Sequence, residues 1–261
     1  MIHKVHTVLK LGSETQTNVV LYKQLVHEVC ADLGIPVVGF DSLDEYTLIV
    51  AIGGDGTMLQ GMRLSANHHS PVIGINLGKV GFLTDISPSS SPERTLREVL
   101  TAPSLNIESR LVLGQTLSKQ TACNEVSISR SIPDAILTYE LEIGGLKAGT
   151  HRANSILIAT ATGSTAYSLS AGGAIMTPTV DCLQIVPVAP VSLTSRPIIA
   201  DPSESVTIRV IDSRGVVKVD GQIVGETNEV HIFADSHARV VRLPNWSFFD
   251  NLTHKLGWKA T

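Results

Sequence analysis

Residues 47–61 read "TLIVAIGGDGTMLQG", an apolar run that ends on glycines and restarts with helix-forming residues. A run without polar alternation predicts a strand buried on both faces, and such strands belong to parallel sheets covered by helices. The flanking pattern agrees. "HKVHTVL" predicts a strand, and "NVVLYKQLVHEVCADLG" a helix with Leu21, Leu25, Val29 and Leu33 on one face and Gly34 as its stop. "PVIGINLG" predicts a further strand. The βαβα order implies an α/β unit with a Rossmann-like parallel sheet over residues 1–100, closed by the Ser/Pro turn and short helix of "TDISPSSSPERTLREVL".

Beyond residue 101 the character changes. "NIESRLVLGQTL", "ACNEVSISR", "SILIATA", "VTIRVID", "VVKVDGQ" and "EVHIFAD" are strand-like and separated by Gly, Asp and Pro turns. "ILTYELEIGGLKAG" predicts two strands joined by a glycine turn. Residues 101–243 therefore form a β-rich unit. The tail, residues 244–261, is helix-like again in "NWSFFDNLTHKLGWK" and is expected to pack back on the first unit.

The chain has 261 residues, 43% hydrophobic and 17% charged, enough for a globular core. A net charge of -4 without a clustered basic face, and only 4% aromatic residues, argue against a nucleic-acid partner. No apolar run approaches the roughly 18–20 residues of a membrane span, and the N-terminal run is too short for a signal peptide. Cys30, Cys123 and Cys182 are an odd set without metal or disulfide spacing, which fits a reducing compartment and a cytoplasmic protein. Without a secretory signal, the sequons at Asn245 and Asn251 are taken as chance. His68 and His69 lack a third ligand at metal spacing, so no metal held by fixed protein ligands is expected. Cys123 has no base near it in sequence, and Ser164 is not in a GxSxG elbow.

Four stretches could carry chemistry. In "GGDGT", Gly53, Gly54 and Gly56 would let backbone amides approach phosphate oxygens at a helix N-terminus, with Thr57 beside them. Asp55 could then bind Mg²⁺ or accept a proton from an attacking hydroxyl. The structural alternative is a strand-to-helix turn with Asp55 as N-cap. "TATGSTAYSLSAGG" (160–173) offers short hydroxyl donors, open backbone and one flat face, Tyr167, for a polar ligand; the alternative is a helix-capping loop. Asn124 and Glu125 could read a base edge and a ribose hydroxyl, or simply end a hairpin. "KVDGQIV" is read mainly as a tight turn.

In order and spacing, "GGDGT", "NE" and "TGSTAYSLSAGG" resemble the NAD kinase family, as do "GKVGFLTDI", "APVSLTSRPII", "VDGQ" and "SFFDNLTHKLGW". "GGDGT" alone is shared with diacylglycerol and sphingosine kinases; the Ser/Thr-rich run is far more specific. The resemblance implies a two-domain architecture and transfer of the terminal phosphoryl group of ATP, or of polyphosphate, with Mg²⁺, to the 2′-hydroxyl of the adenosine ribose of NAD. It implies Asp55 as proton acceptor, with Gly56 beside it. Asn124 and Glu125 then contact the adenosine portion, the family's Thr-Ala-Tyr-x-x-Ser run falls on Thr165, Ala166, Tyr167 and Ser170 with Tyr167 near adenine, and Arg152, Ala189 and Gln222 fall on further NAD-contact positions. It also implies a homodimer or homotetramer. The family usually reads Arg-x-Asp-Gly where this chain has Asn154 and Ser155; Asn154 keeps a carbonyl acceptor without the charge. Ala161 and Val191 stand where the family often has Pro and His. A lipid kinase sharing "GGDGT" and a non-catalytic dinucleotide sensor are the rival readings.

Overall fold

The apolar run 47–52 forms a strand whose six residues are all buried. The computed structural model describes residues 1–9, 16–78, 81–89, 91–132, 135–211 and 213–258. Lys79 and Val80 of "GKVGFLTDI", and Lys259 of the tail, lie outside the described residues. The chain divides into two units, Met1–Ser109 with Ala238–Thr261, and Arg110–His237.

In the first unit the chain runs β1 (Lys4–Leu9), α1 (Thr17–Asp32), β2 (Thr47–Ile52), α2 (Asp55–His68), β3 (Pro71–Ile75) and α3 (Pro92–Thr101). β1 pairs with β2 and β2 with β3, both in parallel, and β3 pairs in parallel with Arg239 and Val240. The two-residue period of β2 sorts its side chains. Leu48, Val50 and Ile52 cluster with Val26 and Val29 of α1 and Leu96 and Val99 of α3. Ile49 and Ala51 face α2, where a Cβ at Gly61 would lie 2.9 Å from Val72 Cγ2 and 3.4 Å from the Ala51 Cβ. Helices cover both faces, so β2 needs no polar alternation.

The α1 stripe differs from the expected one. Val19, Val26, Val29 and Cys30 are buried, whereas Leu21 is 57% exposed. Successive i+4 residues advance by about 40° around a 3.6-residue helix, so the series Leu21, Leu25, Val29, Leu33 winds off the core face at its N-terminal end. Gly34, with φ +66°, does end the helix.

From β4 (Ile107–Gln115) the chain enters the second unit. It comprises β5 (Glu125–Ser129), β6 (Leu137–Ile143), β7 (Leu146–Ala153), β8 (Ser155–Ala159), α4 (Tyr167–Ser170), β9 (Leu183–Val188), β10 (Ile198–Ala200), β11 (Val206–Val210), β12 (Gly215–Val219), β13 (Gln222–Thr227) and the first part of β14 (Glu229–Val241). One antiparallel sheet has the order β10-β9-β8-β5-β12-β13. In the other, β7, β6, β11 and β14 pair antiparallel in that order. Val126, Ile128, Ile156, Ile158 and Val217 from the first meet Leu137, Tyr139, Leu141 and Ile208 from the second in one core, a sheet-on-sheet packing. The β6–β7 hairpin turns on Gly144 and Gly145, both at positive φ, as a two-residue type I′ turn demands.

After β14 the chain belongs to the first unit and ends in α5 (Phe248–Leu256), which buries Phe248 and Leu252. Ser247 caps it by accepting the Asp250 N–H at 3.2 Å. No helix among the described residues is long and apolar enough to cross a membrane.

The tight contact at Gly61 gives a test of the α2–sheet packing. Gly61→Val must push into Val72 and Ala51, and is expected to lower stability by about 1–3 kcal/mol through overpacking, read as a reduced urea midpoint. An unchanged midpoint would show that α2 is not seated this closely.

Candidate active site

The turn from β2 into α2 requires glycine at its first position. A Cβ on Gly53 would lie 2.2 Å from Thr57 Oγ1. The Gly53 N–H donates to the Ile75 carbonyl at 2.9 Å, so Gly53 contributes close approach rather than an open amide. Gly54 is the N-cap residue and Asp55 the first residue of the helix; no side chain caps it. The structural alternative of Asp55 as N-cap is therefore not realised. Gly54 and Gly56 are exposed with nothing within 4 Å of where a Cβ would sit. The amides of Asp55 and Gly56 fall in the first helical turn, which has no intrahelical partners for them. Thr57 Oγ1 is buried and has no hydrogen-bond partner.

The Asp55 carboxylate turns away from its own helix. Oδ2 accepts the Phe82 N–H at 2.9 Å and Oδ1 the Leu83 N–H at 3.1 Å. A Cβ on Gly81 would lie 1.8 Å from Asp55 Oδ1, so that clamp closes only over glycine. The segment behind the clamp is fixed to β3. Asn76 Nδ2 donates to Thr84 Oγ1 at 3.0 Å, and Ile86 exchanges backbone bonds with Asn76 and Gly74. Each carboxylate oxygen keeps a second lone pair that the two amides do not use.

In the second unit another carboxylate organises backbone. Asp220 sits at φ +45° before Gly221 at φ +80°, in the β12–β13 turn. Its side chain accepts the N–H groups of Cys123, Asn124 and Glu125 at 3.0, 2.8 and 3.1 Å. The "VDGQ" turn is thus the staple that holds the Asn124–Glu125 segment. From the other side, Thr160 Oγ1 donates to the Cys123 carbonyl at 2.6 Å. A Cβ on Gly163 would meet the Asn124 carbonyl oxygen at 2.1 Å.

Glu125, Ser127, Asn154, Ser155, Tyr167 and Lys218 line a cavity of about 450 Å³. Glu125 is 7% exposed, and its Oε2 is buried with no hydrogen-bond partner. Burial, and then the charge of Asp220, push its carboxyl up to about 7. Ser155 Oγ is likewise buried without a partner. Buried polar groups of a folded protein are normally paired, so these two atoms mark where a polar ligand can complete the site. Tyr167, 44% exposed, supplies an aromatic face and Lys218 a positive charge.

The remaining candidates stand outside that lining. In the loop 160–173 the hydroxyls of Thr160, Ser164 and Ser168 are buried and bonded internally, to Cys123, Ala161 and Gln184. Thr165, Ala166, Tyr167 and Ser170 are among its accessible members, though Thr165 Oγ1 donates to the Thr162 carbonyl at 3.3 Å. Arg152 is exposed, and its carbonyl accepts the Val191 N–H. Ala189 holds φ +44°. Gln222 Oε1 accepts from Gln120 Nε2 at 2.9 Å. Sequence reasoning missed Gly81, Asp220 as a staple, and Lys218. Only Lys218 left a signal, as a lysine between the buried Val217 and Val219 of β12.

The chain as a whole is similar to known proteins. The family model for the ATP-NAD kinase N-terminal domain matches residues 42–102, and that for the ATP-NAD kinase C-terminal domain matches residues 123–240. An NAD kinase of Erwinia tasmaniensis is 36% identical over 224 residues, covering 81% of this chain and 76% of that one. The chain belongs to the NAD kinase family. A relative from Methanopyrus kandleri, also an NAD kinase, is 39% identical over 210 residues, 78% of this chain and 72% of that one. The crystal structure of an NAD kinase from Archaeoglobus fulgidus in complex with ATP superposes with a TM-score of 0.80 at 25% identity, over 98% of this chain and 100% of that one. The α/β first unit and β-rich second unit are therefore the NAD kinase fold.

The buried Glu125 predicts a pH signature. Its carboxyl titrates near 7 in the folded chain against an ordinary 4.5. The folded state then holds the extra proton, and the associated stability is complete below about 4.5 and lost as pH rises through 7. Glu125→Gln should match the parent near pH 4.5 and exceed it by about 3 kcal/mol above pH 8, read by urea unfolding at both ends. Parallel pH profiles would show that Glu125 is not buried as described.

Proposed function

We propose that this NAD kinase transfers the terminal phosphoryl group of ATP, or of inorganic polyphosphate, to the 2′-hydroxyl of the adenosine ribose of NAD, giving NADP. The observation that carries the reading is the Asp55 carboxylate, fixed by two backbone amides beside an open glycine turn. Gly54 and Gly56 admit the donor phosphates to the first-turn amides of α2, where the helix dipole favours negative charge. Gly53 makes room for Thr57, whose unpartnered hydroxyl is a further donor to the phosphates.

On the acceptor side, Tyr167 stacks on adenine, while Asn124 and Glu125 bond its edge and the ribose. Near neutral pH a protonated Glu125 offers an O–H donor as well as an acceptor. Asn154 and Ser155 bind polar groups farther along the dinucleotide from the cavity wall. Arg152, Thr165, Ala166, Ser170, Ala189 and Gln222 complete the contacts that the family likeness suggests. Asp55 takes the 2′-hydroxyl proton, or orients that hydroxyl, as it attacks the terminal phosphorus. Positioning and electrostatics supply most of the acceleration in such transfers.

The family likeness favours Mg²⁺ that arrives with ATP. Among the described residues no group of three or more His, Cys, Asp or Glu side chains converges on a metal position. Asp55 and the orphaned Thr57 hydroxyl are the oxygens of the loop that could touch a donor-borne cation. When bound, the metal neutralises charge on the phosphate oxygens. The family likeness favours a cytoplasmic homodimer or homotetramer.

The test is a coupled assay in which NADP is detected enzymatically after incubation of NAD, Mg²⁺ and either ATP or polyphosphate. NADP formation is expected, with Asp55→Asn lower in kcat by roughly 10²–10⁴-fold, the usual share of one general base. Binding of NAD without turnover would favour a sensor, and phosphorylation of diacylglycerol but not NAD a lipid kinase. Wild-type turnover in a folded Asp55→Asn variant would remove Asp55 from the chemistry.

A further inference from the structure

A chain of hydrogen bonds runs from Asp55 to the segment after β14, all within the first unit. The Leu83 N–H donates to Asp55 Oδ1 at 3.1 Å. The carbonyl of the same residue accepts from Arg242 Nη1 at 3.1 Å. Arg242 Nη1 also donates to Asp85 Oδ1, and Asp85 Oδ2 accepts the Leu243 N–H at 3.1 Å. Arg242 Nε donates to Glu108 Oε1 at 3.0 Å, and the Trp246 ring covers the guanidinium carbon at 3.9 Å from its centroid.

This cluster is deeply buried. The Arg242 side chain is 4% exposed, Asp85 1% and Glu108 11%. Burial pushes the Asp85 carboxyl above its ordinary range even though Arg242 and the Leu243 amide pull it down. Arg242 Nη2 is buried with no partner. Desolvation of buried ions offsets much or all of their attraction, so such a group is weak as a source of stability. What it does supply is direction. The planar fork of arginine fixes several acceptors at once, which a lysine ammonium does not. Asn76 and β3 already hold residues 84 and 86; Arg242 grips the peptide next to the clamp itself.

We propose that Arg242, anchored by Asp85 and Glu108, is a positioning residue that sets the Asp55 carboxylate through the backbone of Leu83. The inference rests on the proposed role of Asp55. It assigns a function to the chain segment that follows β14.

The test is a double-mutant cycle in the full chain. Arg242→Gln is expected to lower kcat for NADP formation by roughly 10–10²-fold, the scale of a small misplacement of a reacting group, with KM for NAD and ATP little changed. In an Asp55→Asn background the same change should add almost nothing, because its effect passes through Asp55. An undiminished further loss in that background, or wild-type kcat in Arg242→Gln, overturns the inference alone. Wild-type turnover in Asp55→Asn overturns it together with the role of Asp55. If Arg242→Gln does not fold, Asp85→Asn serves, read by hydrogen exchange at the Phe82 and Leu83 amides. Faster exchange together with a lowered kcat supports the inference; unchanged exchange or unchanged kcat overturns it.

Discussion

Two backbone amides holding one carboxylate determine how the first unit can work. Phe82 and Leu83 donate to Asp55, and that pair of bonds takes the charge away from the helix start and leaves the glycine turn open. Without it, the Asp55 side chain would be free to cap α2 and occupy the first-turn amides that a phosphate needs. Several other features follow from this constraint. Gly81 has no side chain because the carboxylate lies where one would go, and Gly53 has none because Thr57 does. The segment after the clamp is tied to β3 through Asn76 and Ile86, so the amides that hold Asp55 are themselves fixed.

The second unit repeats the device with a different outcome. Asp220 accepts three consecutive amides and so presents Glu125 to a cavity. The two carboxylates are close enough for Asp220 to raise the Glu125 carboxyl, on top of the larger effect of burial. A buried acid with an unpartnered oxygen costs stability. That cost is tolerated where a ligand completes the bonding, and functional sites are where such strain is commonly found. Tyr167, Ser155 and Lys218 line the same cavity.

Much of this was legible in the sequence because it is local. The all-apolar run 47–52 forecasts a doubly covered strand, and the glycines after it a turn into a helix; both depend on residues adjacent in the chain. The β6–β7 hairpin was equally readable from "IGG". The α1 face was not, since an i+4 series drifts around the helix and only the packed sheet decides which edge is buried. The loop 160–173 has the composition of a row of ligand donors, yet Thr160, Ser164 and Ser168 spend their hydroxyls inside the fold. Gly81, Asp220 and Arg242 act on residues 26 or more positions away. No local pattern encodes those contacts.

The central claim is that a donor phosphate at the glycine turn is passed to one hydroxyl of NAD. ³¹P NMR of the product formed from NAD, ATP and Mg²⁺ reads this most directly, because it reports the position of the new phosphate. The account predicts one new phosphomonoester signal, assigned to the adenosine 2′ position and matching NADP. A phosphate on any other hydroxyl, or bound NAD that gains no phosphate at all, would contradict it.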